Sequence, residues 1–301
     1  MMPSDVDLQS LEPIGPAACG WVFPQAPIQP IIEVPHRVRP DLAKLGEAPC
    51  LLEDNDWSEW VREKRTLLKN DRLVLVEPGL DCRESGRLVA AVRQFFQGVL
   101  GITGPIDATG RFTWLNNFLP RGDREFWSAL SLSLQEDFAV MLNSDSRGLR
   151  SAILSVASPS GWIPSQRLGQ SMSALHEPVA DSAALQQSMQ TMSQAMVEKG
   201  PFVRTVWTLA GSSSRARPPG LDDTIGLTHA AQLWFRHERQ VTIPLGGGAC
   251  LFLIRVMLAP YGAVVRSPGD HERLVASLES MSAATIAYKK LSHAMRLVLA
   301  C

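Results

Sequence analysis

His176 stands in the run Leu175-His-Glu-Pro-Val179. Pro178 must end any helix there, because it has no N–H and restricts Glu177. A histidine at a proline-broken helix end can turn its ring off the backbone ladder into a cavity. A neutral imidazole so placed can ligate a metal, oriented by a hydrogen bond on its other nitrogen. The alternative is a histidine that caps helix carbonyls. His237 is the rival ligand. The second run is Arg236-His-Glu-Arg-Gln240, dense charge within a strand-like stretch. Alternation puts Arg236, Glu238 and Gln240 on one face, and His237, Arg239 and Val241 on the other. Charges so packed can bind carboxylates of a cofactor or polarise an oxygen, and Arg204 and Arg255 are candidates to join them. The alternative is a solvated face with cross-strand ion pairs worth about 0.2–1 kcal/mol each. Trp162 and Trp207 could line an apolar cavity or serve as core.

Other chemistries find less support. The five cysteines, Cys19, Cys50, Cys82, Cys250 and Cys301, are scattered and form no C-x-x-C pair. That speaks against zinc, iron–sulfur or a disulfide framework within the chain, and for a reducing compartment. A formal charge of −1 over 301 residues gives no reason to expect nucleic acid or an anionic membrane. The N-terminal stretch, with Asp5, Asp7 and Glu12, is unlike a signal peptide, and no apolar run is long enough to span a bilayer. We expect a cytoplasmic protein. Gly246-Gly-Gly248 reads as a hairpin turn, not a phosphate cradle, and Met172, Met189, Met192 and Met196 as helix packing.

These residues need elements to position them. With 45% apolar and 20% charged residues, the chain has the composition of a globular protein. Residues 1–40 are proline-rich and extended. Residues 41–130 form a mainly helical layer, with helices over 54–70 and 85–100; Leu88, Val92, Phe95, Phe96 and Val99 make one stripe of the second. Residues 131–265 hold two strands (136–142 and 149–157), helices over 165–198, and three more strands (203–210, 232–243 and 249–258). A C-terminal helix, or two, over 266–301 packs on that core. The fold class is α+β. Five antiparallel strands with helices inserted after the second is the PAS order, one of several α+β options at this level.

Three segments together resemble the haem-dependent oxidative N-demethylases, the family of the alpha subunit of dimethylamine monooxygenase. They are Gln135-Glu-Asp-Phe138 with Pro159-Ser-Gly-Trp162; Arg167-Leu-Gly169 with Leu175-His-Glu-Pro-Val179; and Val203-Arg-Thr-Val-Trp207 with Arg236-His-Glu-Arg-Gln240 and Phe252-Leu-Ile-Arg255. Weaker similarity reaches back to His36 and on to Tyr288-Lys289. The chain departs from the family at Val206, usually Asn, at Ala180, usually Pro, at Val241-Thr-Ile-Pro244, and at Met257, near a family tyrosine.

The resemblance implies a PAS-like core binding haem b, with His176 on the iron. It implies cofactor contacts from Trp162, Arg204, Trp207 and Arg255, and catalytic roles for Arg236, Glu238 and Arg239. The implied reaction is O2-dependent oxidation of an N-methyl group on a small amine, through a carbinolamine that releases formaldehyde. Electrons would come from a separate NAD(P)H-dependent reductase carrying flavin and a 2Fe–2S cluster. The departures leave room for an amine other than dimethylamine, in a specialised pathway. Two other readings are a haem-binding PAS-type gas or redox sensor and a non-catalytic subunit.

Overall fold

The computed structural model describes residues 30–52, 57–99, 123–144 and 147–301. Most of the proline-rich start and residues 100–122 of the expected helical layer lie outside these, as do 53–56 of its first helix.

Seven strands form one sheet: β1 (Ala43–Lys44), β2 (Val74–Val76), β3 (Asp137–Ser144), β4 (Gly148–Ser155), β5 (Phe202–Ala210), β6 (Trp234–Gly246) and β7 (Ala249–Pro260). Their spatial order is β1-β5-β6-β7-β3-β4-β2, and every neighbouring pair is antiparallel. The sheet thus has two strands more than the five expected. β1 and β2 are two and three residues long, too short to show the period-two pattern by which a strand is read. Between β6 and β7 the turn runs through Gly246, Gly247 and Gly248, all at positive φ, where a side chain would strain the backbone.

The two faces carry different covers. Helices α1 (Trp57–Lys69), α2 (Cys82–Val99) and α3 (Asp123–Leu132) lie on one. Leu88, Val92, Phe96, Phe126 and Trp127 from these helices share a core with Phe138, Val140, Val241, Ile243, Leu251 and Leu253 from the sheet. Each such burial stabilises by about 1.5–3 kcal/mol. Lys64 of α1 is fully buried yet satisfied, donating to the carbonyls of Ser131 (3.1 Å), Leu134 (2.8 Å) and Glu136 (2.7 Å). It ties α1 to the end of α3 and the start of β3.

The opposite face takes the helices inserted between β4 and β5: α4 (Pro164–Arg167), α5 (Met172–His176), α6 (Ala183–Gln187) and α7 (Met189–Glu198). Met172, Met189, Met192 and Met196 pack on Ala139, Met141, Leu154 and Cys250. After β7 come α8 (Tyr261–Val264), α9 (Pro268–Glu279), α10 (Ala283–Tyr288) and α11 (Ser292–Leu299). The expected C-terminal helix is therefore three, since Ser282 begins a new helix by accepting from the Thr285 amide. These three cover the end of the first face, around Trp207, Leu209 and Phe235. No helix among the described residues is long and apolar enough to cross a membrane.

Candidate functional site

Residues directly opposed across antiparallel strands share a face. Arg204 opposes Gln240, Val206 opposes Glu238 and Thr208 opposes Arg236; on the other side Ile254 opposes Gln240 and Leu258 opposes Arg236. All of these lie on the face that takes the inserted helices, because Phe252 and Cys250, of the same parity on β7, pack in the methionine cluster. Trp207, His237, Arg239, Arg255 and Met257 lie on the other face, with Val241 and Leu253.

The inserted helices cover only part of their face. Val206, Trp234, Ile254 and Leu258 are half-buried and belong to none of the apolar clusters of the described residues. On this face the β6 row of Arg236, Glu238 and Gln240 runs between Val206 of β5 and Ile254 and Leu258 of β7, with Trp234 at the end of the row.

His176 is the last residue of α5. Ser171 caps the start of that helix, and Pro178 follows just past its end. The ring Nδ1 lies 2.8 Å from the Met172 carbonyl, so Nδ1 carries the proton and donates it, which leaves the lone pair of the neutral ring on Nε2. The ring caps a helix carbonyl, and the cap fixes the tautomer. Burial lowers its proton affinity, against the Met172 carbonyl, and the nearby Arg204 charge lowers it further. The imidazole is neutral at pH 7. Trp162 packs on the methionine cluster under the inserted helices.

Arg236 and Glu238 form the charged middle of this β6 row. Arg236 is buried, and three of its donors are taken: Nε by the Arg215 carbonyl (3.2 Å), Nη2 by the Ser158 carbonyl (2.8 Å) and Nη1 by Glu238 Oε1 (2.5 Å). Gln240 Nε2 donates to Glu238 Oε2 at 2.9 Å. Burial draws the Glu238 pKa upward, but the charge and hydrogen bond of Arg236, the Gln240 amide and the Arg204 charge outweigh it. Glu238 is a held carboxylate with pKa below the usual range.

The remaining candidates serve the other face. Arg239 donates to the carbonyls of Cys50 (3.2 Å) and Pro49 (2.5 Å) and anchors that segment to the sheet. Arg255 stacks on Trp60, its guanidinium carbon 4.7 Å from the ring centroid. Trp207 packs against Phe235 and against His36 of the N-terminal segment. His237 is fully buried between Trp207 and Met257, and burial together with Arg236 lowers its pKa to about 4.

Two further residues act around Arg236 and Arg204 without having been given roles from the sequence. Asp137, buried at the start of β3, accepts from the amides of Ala157 (2.9 Å) and Ser158 (2.8 Å) and so sets the carbonyl that holds Arg236. It lies within the quoted Gln135–Phe138 run, but nothing in the run shows which loop it meets. Lys289, just past α10, reaches β5 and donates to the Trp207 carbonyl at 2.7 Å. It is far in sequence from the other charges, and only the Tyr288-Lys289 similarity marked it.

The described residues thus combine a largely antiparallel α+β sheet, a neutral histidine at a helix end and an arginine-held carboxylate on the sheet face that takes the inserted helices. A family model described as haem-dependent oxidative N-demethylase, alpha subunit-like, matches residues 107–299, and the chain belongs to that family. No curated protein matches the chain.

Proposed function

We propose that the chain binds haem b on the half-covered sheet face, with His176 as the axial ligand, and oxidises an N-methyl group of a small amine. The observation that carries this reading is the Nδ1–H of His176 donated to the Met172 carbonyl. It presents one neutral nitrogen with a fixed lone pair, as an axial ligand requires. The half-buried Ile254 and Leu258 of β7 and Trp234 of β6 offer apolar contact to the flat face of a porphyrin, beside the charged β6 row. Arg204, whose Nε is buried without a hydrogen-bond partner among the described residues, suits a carboxylate at its edge. His237 is the weaker ligand, since it is fully buried on the other face.

The strand order supports a PAS-like core over residues 131–265. Numbered within that segment, the central strands β4-β3-β7-β6-β5 run second, first, fifth, fourth, third, with helices between the second and third. In this reading residues 1–40, 41–130 and 266–301 are additions outside the core, of which the described helices over 57–99, 123–130 and 268–299 pack against the sheet.

Bound haem supplies the iron chemistry that oxidises the methyl group with dioxygen, and a separate NAD(P)H-dependent flavin/2Fe–2S reductase supplies electrons. The chain's own part is positioning. Glu238, ionised and held on both oxygens, accepts a hydrogen bond from the amine and orients its methyl group. Arg236 holds Glu238. Trp207, Arg239 and Arg255 act from the other face by fixing the sheet.

The test is the ultraviolet–visible spectrum of the protein expressed with added haem, beside His176→Ala. A Soret band that shifts or vanishes in the variant supports haem and its ligand, and no Soret band in the wild type removes the reading. Formaldehyde release from a panel of methylamines with a surrogate reductase tests the reaction, and no turnover with any of them sinks it.

A further inference from the structure

We propose that Arg204 and Lys289 form a carboxylate-binding pair beside Glu238, at the β5 side of the site. The two cations come from distant parts of the chain and meet at one strand. Arg204 lies on β5 opposite Gln240. Its Nε is buried and makes no hydrogen bond among the described residues. A buried donor left unmade costs about 1–3 kcal/mol, more when it is charged, so this group calls for an acceptor. Lys289 caps the end of α10, with one of its three donors on the Trp207 carbonyl and its ammonium 5.8 Å from the Trp207 ring centroid.

The charges around them do not balance. Glu238 is already held by Arg236 and Gln240. Neither Arg204 nor Lys289 makes an ion pair among the described residues. Asp41 lies within electrostatic reach of Arg204 but is itself bridged to Arg39 at 3.2 Å. Asp181 is engaged by the hydroxyls of Ser282 and Thr285. Glu238 thus stands within electrostatic reach of Arg204, Arg236 and Lys289 together. Such a surplus of positive charge favours a carboxylate, for which charged donors make the stronger hydrogen bonds. The depressed proton affinity of Lys289, at about 8, fits the same picture: burial lowers it, Glu238 only partly offsets that, and Arg204 adds to it.

A carboxylate could come from two sources. One is a haem propionate, and this arm rests on the haem reading above. The other is the substrate, which would then be an N-methyl amino acid whose amine meets Glu238; this arm stands without haem.

The experiment titrates the full-length protein with haemin, with haemin dimethyl ester and, by calorimetry, with N-methylglycine. Wild type is compared with Arg204→Gln, Lys289→Gln and the charge-keeping Arg204→Lys. If the pair holds a propionate, haemin binds about tenfold more tightly than its ester, and both Gln variants erase the difference. If it holds the substrate, haemin and ester bind alike, and the Gln variants weaken N-methylglycine about tenfold or more while Arg204→Lys recovers much of it. Should Arg204→Gln fail to fold by circular dichroism, Lys289→Gln decides alone. A wild type that binds no haemin defeats the haem reading, and the N-methylglycine arm still decides the pair. Gln variants that match wild type toward both haemin and N-methylglycine overturn the proposal, as does a wild type that binds neither.

Discussion

Arg236 and Glu238, two residues apart on β6, meet at 2.5 Å between Nη1 and Oε1. The arginine is buried and tied to two loop carbonyls, whereas the glutamate keeps 16% of its side chain exposed. The pair is therefore asymmetric: Arg236 is a fixed part of the scaffold, and Glu238 is the end that solvent reaches.

Arg236→Ala leaves that carboxylate without its ion partner and two loop carbonyls without a donor. We expect a loss of about 3–5 kcal/mol in urea unfolding. Glu238→Gln keeps a hydrogen-bonding oxygen beside Arg236 and should cost less, about 1–3 kcal/mol. The reverse order would show that Arg236 is not the scaffold member of the pair.

Asp137 acts one step further back. Asp137→Ala removes the acceptor for the Ala157 and Ser158 amides, both buried. The expected cost is about 2–4 kcal/mol by denaturant melts. Proteolysis of the native variant should show new cleavage near residues 157–162, and an unchanged digestion pattern would count against the link from Asp137 to the loop.

Lys64 gives the protein a signature in alkali. Burial lowers its pKa to about 8 from 10.5, against the pull of Asp137 and Glu136. The folded protein releases this proton near pH 8, and the unfolded chain holds it to about 10.5. Between those values the unfolded state binds more protons, so the Lys64 contribution to stability rises with pH. Lys64→Met strands three buried carbonyls and should be less stable at pH 7. Melting curves from pH 7 to 10.5 should show the wild type gaining on the mutant background effects that both share, and parallel curves would refute the shifted lysine.

Gly211 ends β5 where the 211–226 loop folds back. A Cβ there would sit 1.8 Å from the Asp223 carbonyl oxygen, a distance no packing adjustment of side chains relieves. Gly211→Ala must displace the loop that carries the Arg215 carbonyl, the acceptor of Arg236 Nε. We expect a marked drop in melting temperature and a loosened Glu238, and a variant as stable as the wild type would contradict the close approach.

Much of this architecture could be read from the chain. The β3–β4 hairpin, the long β6 and β7 strands and the proline break after His176 all follow from local pattern, because alternation and proline chemistry act within a few residues. What alternation could not settle was which face of β6 meets which helical layer. That depends on the partners of β5 and β7, so Arg236, Glu238 and Arg204 separated from Arg239, Arg255 and Trp207 only in three dimensions. β1 and β2 were too short to carry a pattern, and Asp137 and Lys289 act through contacts with sequence separations that no spacing rule spans.

The methionine layer beneath α5 has a mechanical consequence. His176 hangs from Met172, in a helix bedded on Met189, Met192 and Met196. Thioether side chains are unbranched and yield easily to a change of shape. Glu238 is instead clamped to a central strand by a buried guanidinium. The histidine thus rests on a compliant bed, while the carboxylate is held by a stiff one, so a change of shape near the two would fall on the histidine side.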